Sequence, residues 1–373
     1  MNFKKAIPIA IPAAIIIVAF IITVTLRENE NGRNLKVEKN TSKKTNEPLY
    51  RCYPIMGTWA EISLYGDKKK SKKAADAIYD VFKRVNAVCS RFDKNSELSK
   101  LNKTAKKNPF KCSDMLWDIL SKSRHFYDLS HGAFDVTITP LMKLWGFYRK
   151  QDKIPSDKQI KEALSKVGLN KVKFDEHNHS VYFTKHEMKI DLGGIAKGYA
   201  VDLAYEAANK NGVKAGIINL GGNIRCYSNP PPGKKDYVIG IRDPFEKDKI
   251  MKGAIKIKGQ SLSTSGNYEQ YVIIGGERFT HIINPKTGYP IKDMAAATVL
   301  CKSAIWADAL STSVFLNGEK FAKEIHEKFP GIDILVVTGY KENPNSIKIF
   351  KFGKIWDQIS ETLVSSKANR ITI

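Results

Sequence analysis

The sequence predicts an α+β fold with mixed helices and largely antiparallel strands in a single large domain, and three observations carry that reading. Thr58–Tyr65 (TWAEISLY) alternates apolar and polar side chains, the pattern of a half-buried strand. Directly after it, Ala74, Ile78, Phe82, Val85 and Cys89 recur at helical spacing and give Lys73–Cys89 one apolar face. Beyond these, strand-like and helix-like stretches interleave without the regular strand–helix–strand rhythm of a doubly wound sheet. At 373 residues with 42% hydrophobic and 27% charged, the chain has ample material for a globular core and is neither disordered nor fibrous.

The remaining elements follow in order. Ser113–Leu129 reads as a second helix, then Val172–Phe174, Ser180–Thr184 and Met188–Leu192 as short strands rich in Val, Ile, Tyr and Phe. A helix is predicted over about Ala196–Asn209, and strands over Ala215–Leu220, Tyr237–Ile241, Ala254–Ile257 and Tyr271–Ile274. Ala304–Leu316 is expected to be helical, with late strands at Ile332–Thr338 and Ser346–Phe350. Five widely spaced cysteines, with no Cys-x-x-Cys, indicate buried thiols with at most one bridged pair rather than a zinc site or a disulfide framework.

Ahead of this body, residues 6–26 form an uncharged apolar stretch preceded by Lys4 and Lys5. About 20 such residues suffice for a membrane-spanning helix, so residues 1–26 are expected to be an N-terminal anchor or export signal, with the body on the extracytoplasmic side of the cell membrane. Residues 27–48 are polar and read as a tether, leaving 49–373 as the folded domain. The formal net charge of +23 comes mostly from lysines spread along the chain. No nucleic-acid motif accompanies it, so it reads as solvated surface that weakly favours an anionic substrate, and nucleic acid is not an expected partner.

Three constellations carry chemistry. In Asp191-Leu-Gly-Gly-Ile-Ala-Lys-Gly-Tyr-Ala200 a strand end turns through Gly193-Gly194 into a helix, an arrangement that serves equally as a tight turn or as a phosphate cradle with Lys197 as a point charge. A second turn, Asn219-Leu-Gly-Gly-Asn223, is equally ambiguous alone. Asp308 and Thr312 lie four apart on one helix face, an oxygen pair that suits Mg²⁺, and the apolar neighbours Ile305, Trp306, Ala309 and Leu310 mean that the carboxylate needs a partner. In the third, His281 precedes an Asn-Pro turn, where a structural and a functional histidine are both consistent. There is no His-Glu-x-x-His and no Gly-x-Ser-x-Gly, which argues against a zinc protease and an α/β-hydrolase.

Taken together, these residues resemble the FAD:protein FMN transferase family, formerly described as thiamine-biosynthesis lipoproteins. The resemblance spans about residues 50–340 and is carried in order by Met56-Gly57-Thr58, Arg91-Phe92-Asp93 with Ser96–Ser99, Gly132–Thr137, Asp191–Gly198, Asn219–Gly222, Ser263–Gly266, His281–Pro290 and Asp308–Thr312. Asn284 stands where the family often has Asp, and no lipid-attachment cysteine follows the apolar segment. The resemblance implies an enzyme that splits FAD, attaches FMN through a phosphoester to a Ser or Thr hydroxyl of a target flavoprotein such as a membrane redox-complex subunit, and releases AMP. It further implies Mg²⁺ on Asp308, Thr312 and the Gly194 carbonyl. Met56, Phe92, Ala133, Phe134, Asp135, Asp191, Lys197 and Ile283 would then line the FAD site, with His281 orienting or deprotonating the hydroxyl. FAD hydrolysis by water at the same site, and non-catalytic flavin binding, are the alternatives.

Overall fold

A computed structural model describes residues 47–246 and 249–360. The apolar segment 6–26 and the tether up to residue 46 lie outside the described residues. Among the described residues no helix is long and apolar enough to cross a membrane.

An eight-stranded sheet, antiparallel throughout, organises the body. Its order is β1 (Leu49–Ile55), β2 (Thr58–Tyr65), β6 (Ala215–Leu220), β7 (Asn223–Cys226), β10 (Ser261–Gly266), β13 (Met294–Cys301), β14 (Asp333–Tyr340) and β15 (Asn343–Phe352). Alternation along the strands divides the core in two. Ile334 and Val336 of β14 face the main core, whereas Leu335 and Val337 face the other side. The helices α1 (Lys68–Cys89), α6 (Ala196–Lys210) and α7 (Ala304–Lys328) cover the first face. The second is closed by the hairpin β8 (Tyr237–Ile239) and β9 (Ile255–Ile257) together with Trp356.

Around this frame, α2 (Glu97–Thr104) and α3 (Asp114–Leu129) join a small sheet of β3 (Phe110–Lys111), β5 (Ser180–Phe183) and β4 (Val172–Asp175). A satellite core centred on Trp145 links α4 (Thr139–Leu144) and α5 (Asp157–Leu164) to the hairpin β11 (Tyr271–Ile274) and β12 (Glu277–Thr280).

The α+β class with antiparallel strands is what forms, but several elements differ from the sequence reading. Helix α1 begins at Lys68, ahead of the Lys73–Cys89 stretch that carries its apolar face, because the Asp67 side chain accepts a hydrogen bond from the Lys70 N–H at 2.8 Å and caps it. Met188–Leu192 is no strand. The Asn102 amide takes both main-chain groups of Ile190, at 2.7 and 2.8 Å, and the Asp191 N–H goes to the Val136 carbonyl, so a side chain replaces the neighbouring strand. Strand β13 (MAAATVLC) escapes the sequence reading altogether, although all eight of its residues are buried. Helix α7 runs past Leu316 to Lys328 and is interrupted at Gly318, whose φ of 77° only glycine adopts readily. All five cysteines are free thiols, four of them buried, and burial pushes those of Cys89, Cys112 and Cys301 up to about 12.

Helix α7 starts without a cap of its own. Asp202 of α6 supplies one across the seam: its carboxylate accepts the Ala304 N–H at 2.9 Å, the Ile305 N–H at 3.1 Å and the Ser303 hydroxyl at 2.7 Å, and it pairs with Arg225. Asp202→Ala is therefore expected to lower stability by about 2–4 kcal/mol, the sum of a lost cap and a stranded arginine, as read from urea unfolding.

Candidate active site

The seam between α6 and α7 brings the two central motifs together. Asp308, 4% exposed in the second turn of α7, finds the partner its apolar surroundings demand in the first turn of α6. Its Oδ2 accepts the Gly198 N–H at 2.8 Å, and the Lys197 ammonium stands 3.8 Å from Oδ1. That contact depends on Gly198 having no side chain. A Cβ there would lie 2.3 Å from the Ala304 carbonyl oxygen and 2.7 Å from the Asp308 Cβ. Thr312, one turn on from Asp308, lies with its hydroxyl 3.2 Å from that of Ser265 at the end of β10, and Ser265 also bonds Ser311 at 2.9 Å. Gly194 approaches the same place, since its Cβ position is 3.6 Å from the Thr312 hydroxyl and 3.3 Å from the Phe134 ring.

The Gly193–Gly194 turn is pinned from outside by Asp191. Oδ1 accepts the Gly193 N–H at 2.8 Å, while Oδ2 meets Arg91 Nε at 2.7 Å and the Tyr148 hydroxyl at 2.9 Å. Burial and the Asp191 charge together raise the Tyr148 pKa, so the phenol stays protonated and donates. The Lys197 ammonium also donates to the Gly193 carbonyl at 3.0 Å, closing the ring of contacts. Phe92 projects into solvent at 79% exposure, whereas Ala133 and Phe134 are buried behind the turn. Asp135 is occupied locally: its oxygens accept from Thr137 N–H (2.8 Å), Thr137 Oγ1 (2.6 Å) and Leu169 N–H (3.2 Å), so it shapes its own loop.

His281 follows β12 directly and precedes the Asn-Pro turn. Its main-chain N–H and its ring Nδ1 both reach the Gln270 carbonyl, at 3.1 and 3.0 Å. A carbonyl only accepts, so Nδ1 carries the proton and Nε2 is left as an acceptor. Burial pushes its pKa down to about 4, against the pull of the Gln270 hydrogen bond, and the nearby Lys197 charge lowers it further. Ile283 turns its side chain into the satellite core, and Asn284 braces the turn by accepting from the Lys286 and Thr287 N–H groups at 2.8 and 3.3 Å. Met56 occupies a separate corner, the β1–β2 turn at φ 53°. The start of β2 meets the Gly221–Gly222 turn, through the Gly221 N–H to Trp59 carbonyl bond of 3.0 Å.

The residues at the seam fit a hard divalent cation. Asp308, Thr312 and the glycine-turn carbonyls are all oxygen donors, and the lysine ammonium against Gly193 and Asp308 shows that the spot already favours positive charge. Among the described residues no three His, Cys, Asp or Glu side chains converge, so a metal here would rest on one carboxylate, the habit of Mg²⁺ when phosphates supply the rest. Tyr148 is the site residue that sequence reasoning did not reach, while Arg91, Gly198 and Ser265 stood inside the motifs that carry the resemblance without a role of their own. Gly198 had a signal, a glycine inside a helix, which marks close approach.

This architecture is that of known ApbE structures. The chain superposes on the ApbE protein of Thermotoga maritima with a TM-score of 0.75 and 32% identity, covering 84% of this chain and 100% of that one. The flavin transferase ApbE from Vibrio cholerae gives 0.74 and 27%, covering 84% and 99%. The ApbE family model matches residues 56–336, and the chain belongs to that family. Among curated relatives, the FAD:protein FMN transferase of Haemophilus influenzae is 32% identical over 73% of this chain and 82% of its own length. That of Escherichia coli K12 is 29% identical over 76% and 82%.

Two outcomes follow from the geometry. Gly198→Ala is expected to cost about 1–3 kcal/mol in chemical unfolding by forcing α6 off α7, and to weaken FAD-dependent activity even where the protein stays folded. The His281 ring is expected to titrate near pH 4 in side-chain NMR. Because its folded pKa lies below the ordinary value of 6.5, its contribution to stability is full above that value and is lost as the pH falls towards 4.

Proposed function

We propose that the chain transfers FMN from FAD to a Ser or Thr hydroxyl of a target flavoprotein, forming a phosphoester and releasing AMP, with Mg²⁺ bound at the α6–α7 seam. The observation that carries this reading is the convergence of Asp308, Thr312, Lys197 and the Gly193–Gly194 turn on one spot. Relatives bearing the FAD:protein FMN transferase name match 73–76% of the chain and support the same activity.

In this reading Lys197 draws the pyrophosphate against the start of α6 and balances part of its charge. Asp308 and Thr312 would hold Mg²⁺, which would neutralise the charge that grows on the phosphates as the bond breaks. The acceptor oxygen attacks the phosphorus of the FMN half, the bridging P–O bond opens, and AMP departs with the electron pair. Neutral His281 presents Nε2 to the acceptor hydroxyl, fixing its direction and taking a share of its proton. Phe92 would flank one ring, with Ala133 and Phe134 backing the glycine turn from behind. The apolar segment 6–26 would fasten the enzyme to the membrane with this body outside the cytoplasm, where a membrane redox subunit is a suitable acceptor.

The test mixes the chain, FAD, Mg²⁺ and a candidate subunit, and follows AMP and intact mass. A gain of one FMN on the subunit with matching AMP is expected. AMP without a mass gain would make water the acceptor, and bound FAD without AMP would contradict catalysis. Asp308→Ala is expected to lower turnover by about 10²–10⁴-fold while the protein still folds, and retained turnover would remove the metal assignment.

A further inference from the structure

Phe92 is the most exposed large apolar side chain among the described residues, at 79%, yet nothing about its setting is loose. The Arg91 guanidinium lies over the Phe92 ring at 3.9 Å and over the Tyr148 ring at 3.6 Å, so one flat cation is stacked on both. Its Nε meets Asp191 at 2.7 Å, with the arginine side chain 21% and the aspartate 14% exposed. The backbone beneath is equally fixed: the Ser90 hydroxyl accepts the Phe92 and Asp93 N–H groups at 3.3 and 3.2 Å, and Asp93 accepts the Asn95 N–H at 2.8 Å.

A ring held out in water by a half-buried ion pair has a use only if something lands on it. The cation covers Phe92 from one side, and the rest of the ring stays accessible to a planar aromatic partner. The same Asp191 that anchors Arg91 also holds the Gly193 N–H, and Gly193 in turn receives Lys197. The ring platform and the Gly193 turn are thus linked through a single carboxylate.

We infer that Arg91 is a positioning residue for the dinucleotide, holding Phe92 as a stacking platform for one planar ring of FAD and tying that platform, through Asp191, to the turn that meets the phosphates. This rests on the flavin reading above. It requires the plane of the guanidinium as well as its charge, so lysine is no substitute. Tyr148 supports the far side of the stack and steadies Asp191.

The test is a double-mutant cycle on the full chain. Arg91→Lys and Phe92→Ala are each expected to weaken FAD binding about three- to tenfold and to raise KM with kcat within about twofold, because only ring positioning is lost. Since both act through one stack, the double variant is expected to be no weaker than the worse single variant by more than about twofold. A fully multiplied loss, or a fall in kcat at unchanged KM, would overturn the inference. Amide exchange of residues 90–96 is measured without FAD, and about tenfold faster exchange is expected in Arg91→Lys. Unchanged exchange would overturn Arg91's hold on the loop whatever the ligand does. A wild-type chain that binds no FAD would instead refute the flavin reading and leave the exchange result to decide whether Arg91 fixes the loop.

Discussion

Helices α6 and α7 meet at Gly198 more closely than any side chain would allow, and that approach determines what the rest of the molecule can do. It lets a main-chain N–H reach the Asp308 carboxylate, which would otherwise be an unsatisfied charge amid alanines, leucine and isoleucine. The same approach sets Lys197 beside Asp308 and brings the preceding glycine turn to Thr312. The antiparallel sheet serves this seam. Strand β10 delivers Ser265 to Thr312 from below, and Asp202 locks the start of α7 to α6 with three hydrogen bonds.

Around the seam, the electrostatics sort the groups by task. Lys197 is a cation shared between a carbonyl and a carboxylate. His281, half-buried and within reach of the Lys197 field, is kept neutral at physiological pH, so it offers a lone pair rather than a charge. Asp191 carries no such freedom: Arg91, Tyr148 and Gly193 take up its oxygens. A carboxylate so engaged acts as a brace, while Asp308 keeps one oxygen facing the lysine.

Much of this was legible in the sequence, for reasons that particular residues make clear. The strand at Thr58–Tyr65 and the helix after it showed their periods, and the Asp308–Thr312 pair showed its face and its need for a partner. What failed to show was anything decided by distant contacts. β13 is Ala-rich and without alternation because both of its faces are buried and closely covered, so its composition looks unlike a strand. Met188–Leu192 looked like one, yet its hydrogen bonds go to Asn102, 88 positions from Ile190. Tyr148 had no signal at all. Its role exists only because the fold sets it against Arg91 and Asp191.

At the centre of the proposed function, a divalent cation would sit in the α6–α7 seam against the substrate's phosphates. Crystals soaked with Mn²⁺ and FAD test it most directly, through the anomalous signal of the metal. A single Mn²⁺ between the Asp308 and Thr312 side chains, beside the pyrophosphate, is the expected result. FAD bound with no anomalous density at Asp308 would contradict it.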